Sequence, residues 1–63
     1  MPIIHLKIYE QRLDDETEPK LIQDFTQVLV DNFGEGIREH TTVILEGVKP
    51  SRWGVARQGP LVR

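Results

Sequence analysis

The chain has no cysteine, one tryptophan, one tyrosine and one methionine. Without cysteine there are neither disulfides nor thiolate metal sites, and two isolated histidines supply no zinc framework. Basic charge is also scarce: 8 Lys and Arg stand against 10 Asp and Glu, giving a formal net charge of -2 and a pI near 5.5. Nucleic-acid binding rests on clustered positive charge, so it is not expected. No apolar run approaches the roughly 20 residues that span a bilayer, and no charged segment followed by an apolar stretch opens the chain. A cytoplasmic location without membrane contact is the expectation, and the lack of cysteine agrees with a reducing compartment.

Length is the remaining shortage. At 63 residues the chain forms one domain over 1–63, with no internal repeat, low-complexity segment or linker. Ordering it costs on the order of 1.5 kcal/mol per residue, and a chain of this size buries only roughly 60% of the surface it exposes when unfolded. With disulfides and metals excluded, oligomerisation is the remaining common means of stabilisation, so the expected working unit is an assembly.

Residues 3–9 alternate, with Ile4, Leu6 and Ile8 on one face and His5 and Lys7 on the other, which predicts a strand. Acidic residues from Asp14 to Glu18 then crowd where a helix amino terminus favours negative charge. Pro19 belongs in the first turn, so the helix starts between about Asp14 and Thr17, capped by Thr17 or Asp15. Leu21, Ile22, Phe25, Val28, Leu29 and Phe33 recur at steps of three and four and predict one buried stripe. Gly34 closes the helix, and Thr41 to Leu45 form a β-branched second strand. One helix joining two strands makes a βαβ unit with parallel strands and a right-handed crossover. The sheet face away from the helix is left uncovered and is expected to meet another chain. Beyond Gly47, with Pro50, Gly54, Gly59 and Pro60 as punctuation and Trp53 as its one large apolar group, a short hairpin or arm is expected.

These residues assemble no nucleophile-and-base triad, phosphate-binding glycine loop or metal motif. Pro2 is the unusual candidate. Removal of Met1 leaves a secondary amine at the head of a strand, and a free α-amine titrates at about 7.7 to 8. Partial burial, or a cation such as Arg12, disfavours the ammonium and yields a base that is neutral at physiological pH. Proline is also common after an initiator methionine, so the dipeptide alone does not identify a catalyst. His5, Lys7 and Tyr9 read as solvent-facing or interface residues, and His40 as exposed.

Met1-Pro2-Ile3-Ile4 opening a strand, Arg12 just beyond it, Lys20-Leu21-Ile22 on the helix, Val43-Ile44-Leu45 and Trp53-Gly54-Val55 together resemble the 4-oxalocrotonate tautomerase family. The likeness covers nearly the whole chain. It implies an α/β fold of one βαβ unit with a short carboxy-terminal hairpin, dimerising and assembling into a hexamer, either a homohexamer (a trimer of dimers) or a mixed hexamer. It also implies a cofactor-free keto-enol isomerase of aromatic catabolism, in which Pro2 moves a proton on a small unsaturated 2-oxo or enol carboxylate. Arg12 matches the arginine that grips a substrate carboxylate, a role suited to a planar guanidinium with two parallel donors. Trp53 stands at the position of an aromatic residue that walls the pocket. The family's second arginine falls on Thr42 and is missing here.

Ala56-Arg57 replaces the family's glycine pair, and the helix-to-strand connection is about two residues longer and contains Arg38. Arg57 and Arg38 are therefore candidate replacement cations, with plain surface charge as their other reading. Two further functional readings follow. One is hydration or dehalogenation of acrylate-type acids, with Glu46 as the only acid of the second strand. The other is a structural or partner subunit in a mixed hexamer, motivated by Thr42 and by the inertness of a proline nitrogen still acylated by Met1.

Overall fold

A computed structural model describes residues 1–55 and 59–60. Strand β1 (Ile3–Tyr9) runs into a 3-10 turn (Glu10–Arg12). Helix α1 (Thr17–Phe33), a second 3-10 turn (Glu35–His40) and strand β2 (Thr42–Val48) follow. After a turn at Pro50–Arg52, β3 (Gly54–Val55) pairs antiparallel with β4 (Gly59–Pro60). β1 and β2 are parallel, in register from Ile3 beside Thr42 to Tyr9 beside Val48. The expected βαβ unit and hairpin are both present. β2 runs farther than the β-branched run alone predicts, because Gly47 and Val48 stay paired to Ile8 and Tyr9.

Asp14, rather than Thr17 or Asp15, prepares the start of α1. Its Oδ1 accepts the backbone N–H of Glu16 at 2.9 Å and of Thr17 at 2.7 Å. These bonds, foremost that from the Thr17 backbone, hold the Asp14 carboxyl below its usual range. Pro19 sits among the first residues of the helix, whose N–H groups have no partner within it. At the other end Gly34 takes φ 95°, ψ 166°, where a side chain is strained, and donates its N–H to the Val30 carbonyl at 2.8 Å.

The helical stripe is only partly covered. The buried residues of the helix are Thr26 and Val30, outside the predicted stripe; of the stripe itself Leu21, Phe25 and Leu29 are half-buried, whereas Ile22 and Val28 are exposed and Phe33 is 72% exposed. Thr26 tolerates burial because its hydroxyl donates to the Ile22 carbonyl at 2.7 Å. Strands about 4.8 Å apart make a two-stranded sheet narrower than a helix roughly 10 Å across, so the edges of the stripe overhang. On the helix-facing side Ile4, Leu6, Ile8, Val43 and Leu45 are half-buried, while Ile3 (61%), His5, Lys7, Ile44 (44%) and Glu46 on the opposite side are exposed. The radius of gyration is 14.6 Å, against roughly 11 Å for a compact domain of this length.

Gly47 fixes how the chain leaves β1. A Cβ there would lie 2.8 Å from Glu10 Cβ and 3.0 Å from Glu10 Cα, so the turn carrying Arg12 crosses β2 at a distance only glycine permits. Gly47→Ala forces the Glu10 backbone outward. It is expected to destabilise by about 1–3 kcal/mol, measurable as a lower urea midpoint with unchanged slope.

Candidate active site

The candidate residues fall into two groups at opposite ends of β1. Pro2 is half-buried just before the strand, and its carbonyl accepts the Thr42 N–H at 3.0 Å. Thr42 is thus Pro2's neighbour within the chain, and the position of the absent arginine lies beside the candidate base. Arg12 is exposed in the turn after the far end of β1. Trp53 is at that end too: its ring centroid lies 5.0 Å from that of Tyr9, at an interplanar angle of 58°. At about 3.3 Å per residue, the seven residues of β1 place roughly 23 Å between Pro2 and this second group. No single chain brings Pro2, Arg12 and Trp53 to one small substrate.

The other candidates behave differently. Arg57 lies outside the described residues. Arg38 is engaged: its Nε donates to Glu35 Oε1 at 2.5 Å and its Nη2 to Gln27 Oε1 at 2.9 Å, tying the second 3-10 turn to α1. The Arg38 side chain, chiefly through this hydrogen bond, holds the Glu35 carboxyl below its usual range. Within the chain the Arg38 guanidinium is thus occupied by Glu35 and Gln27 at the surface. Glu46 accepts a hydrogen bond from His5 Nε2 at 2.8 Å across the open face. It stands four residues along β2 from Thr42, about 13 Å from Pro2 in the same chain. Nothing in that placement makes Glu46 a water-activating partner of its own Pro2.

Three features escaped sequence reasoning: the His5–Glu46 pair, the Tyr9–Trp53 contact, and a groove at the carboxyl ends of the strands lined by Lys7, Trp53 and Arg52. The first was reachable once the register was known, because residues two apart across a parallel ladder share a face. The other two depend on how the segment after Val48 turns back, which no periodicity records. Among the described residues no group of three or more His, Cys, Asp or Glu is placed to hold a metal ion, and no helix is long and apolar enough to cross a membrane.

No curated protein matches the chain, and neither does any solved structure. A family model described as "Tautomerase enzyme" matches residues 2–61, beginning at the candidate base and running through both parallel strands and the hairpin. With nearly its full length matched and the βαβ unit in place, the chain belongs to the tautomerase family.

Proposed function

We propose that this chain is a cofactor-independent keto-enol tautomerase of the 4-oxalocrotonate tautomerase type, acting on a small unsaturated 2-oxo or enol carboxylate. The observation that carries this reading is the position of Pro2: first residue of the family match, half-buried, at the head of β1. Met1 is 95% exposed, so its removal disturbs no packing within the chain. The freed secondary amine takes the proton of the enol hydroxyl. The carbonyl forms as the double bond shifts, and the prolinium returns a proton to carbon, leaving the enzyme unchanged. Arg12 holds a substrate carboxylate through two parallel hydrogen bonds, and Trp53 provides an apolar wall that disfavours the ammonium.

The separation along β1 requires two chains for this chemistry. In a two-strand sheet both strands are edges with unpaired backbone groups. Two β1 strands running antiparallel about a twofold axis set Pro2 of one protomer beside Arg12 and Trp53 of its partner, and create the same site twice. Three such dimers, packed through the exposed sheet faces around Ile3 and Ile44, complete a homohexamer. With threonine at position 42, one charge-assisted contact is absent, a loss of about 1.5–3 kcal/mol, or roughly 10-fold to 150-fold, unless other donors replace it.

The test is turnover by protein whose intact mass shows Met1 removed. Ketonisation of 2-hydroxymuconate or phenylenolpyruvate faster than in buffer is expected. Failure with both enol acids overturns the reading.

A further inference from the structure

One ionisable pair crosses the open sheet face: His5 Nε2 on β1 donates to Glu46 Oε1 on β2 at 2.8 Å, with side chains 43% and 50% exposed in the single chain. The strand register sets Lys7, not His5, directly beside Glu46, so the acid has a base on either side along β1. Arg52, in the turn after β2, reaches the same groove as Lys7 and Glu46. Tyr9 completes this face of β1, and a phenol is uncharged near neutral pH. Neither Lys7 nor Arg52 makes an ion pair among the described residues. With His5 neutral, two cations therefore accompany one acid; with His5 protonated, three do.

In the assembly proposed above this face is covered. Ile3, 61% exposed, and Ile44, 44% exposed and opposite His5 in the register, are the apolar surface that calls for cover. The charges beside them have both signs, so the face matches a second copy of itself better than a partner of one charge. Three dimers closed through these faces turn every copy of the cluster inward, where it meets only other copies. Histidine is the side chain whose ordinary change of charge falls between pH 5 and 8. A proton on the covered His5 adds a cation to an interior that already has a surplus, and the face has no further acid to receive it. On a free dimer the same proton is paired with Glu46 and hydrated. Protons thus bind the free face more tightly than the covered one, and by linkage they weaken assembly.

The chain as a whole titrates the other way. Its net charge of -2 falls to zero at the pI of about 5.5, which removes general repulsion between copies and favours association. Separation in mild acid therefore needs a local cause. We infer that His5, with Lys7 and Glu46 around it, is an acid-operated release between dimers: as His5 takes a proton, the hexamer comes apart. The inference rests on the assembly proposed above and is independent of the reaction.

Sedimentation velocity of the full chain over a concentration series, at pH 7.5 and 5.5 and constant ionic strength, reads the release directly. A histidine of ordinary pKa that is kept neutral in an assembly weakens it by up to about 10-fold over this interval. Several copies act together, so the concentration for half-dissociation of the wild-type hexamer is expected to rise about 10-fold or more at pH 5.5. His5→Gln keeps an N–H for Glu46 but takes no proton, and its assembly should be indifferent to the change. Lys7→Gln at pH 5.5 carries the face charge that wild type carries at pH 7.5, and should stay assembled. His40→Gln, at an exposed position before β2, should dissociate as wild type does. A wild-type hexamer of equal stability at both pH values overturns the release and leaves the hexamer standing. Acid dissociation that persists in both His5→Gln and Lys7→Gln also overturns it, and where His5→Gln fails to assemble at pH 7.5, Lys7→Gln decides. Absence of any hexamer at pH 7.5 removes the assembly and the release together, whereas turnover of enol acids bears on the reaction alone.

Discussion

Protein that retains Met1 is expected to turn over enol acids about 10²–10⁴-fold more slowly than the Met1-free protein, the range contributed by a positioned general acid or base. An acylated proline nitrogen is an amide and has no lone pair for a proton. The two forms differ only at a residue that is 95% exposed within the chain, so the fold of the chain should be unchanged, and sizing of each form checks that both assemble alike. Steady-state kinetics on separated forms, each verified by intact mass, measures the effect. Equal rates would sink Pro2 as the base. Pro2→Ala provides an internal scale: after Met1 removal it still offers an α-amine, but a primary one without the ring that fixes its direction. Its loss should be smaller than that of the Met1-retaining form. The pH profile supplies the sign. The base must be unprotonated in the free enzyme, so kcat/KM falls as pH drops through the amine pKa, which for an unperturbed α-amine is about 7.7 to 8. Residual activity of the Met1-retaining form should lack that limb.

Much of this architecture is legible in the order of residues. The alternation of Ile4, Leu6 and Ile8 locates β1, and steps of three and four from Leu21 locate α1. One helix between two strands then leaves parallel pairing as the economical arrangement. What periodicity misses is local hydrogen bonding and the return of the chain. Asp14 rather than Thr17 takes the capping role because an Asx side chain reaches N–H groups two and three residues on. Val28 and Phe33 look like core by spacing but overhang a sheet of two strands, whereas Val30 and Thr26 are the buried pair. Arg38, a candidate cation by charge alone, is held by Glu35 and Gln27, eleven residues away on the helix. For the site, Pro2, Arg12 and Trp53 can each be named from the chain, yet a seven-residue strand lies between the first and the other two. Their separation becomes plain only when that strand is given its length.

The same separation makes subunit mixing the sharpest test of where the site lies. Two defective chains are prepared, one retaining Met1 and one carrying Arg12→Ala. The second should be slowed about 10-fold to 150-fold by loss of a charge-assisted carboxylate contact. If each site takes Pro2 from one protomer and Arg12 from its twofold partner, a mixed dimer holds one site with both groups intact and one with neither. Random reassortment after dissociation should therefore leave about a quarter of all sites intact, restoring roughly a quarter of the full rate. If Pro2 and Arg12 acted within one chain, every site would keep its own defect, and the mixture would show only the average of the two slow rates. Recovery on mixing thus distinguishes shared from private sites without any structure of the assembly. It does so because no change short of unfolding β1 removes a gap of about 23 Å between the ends of a seven-residue strand.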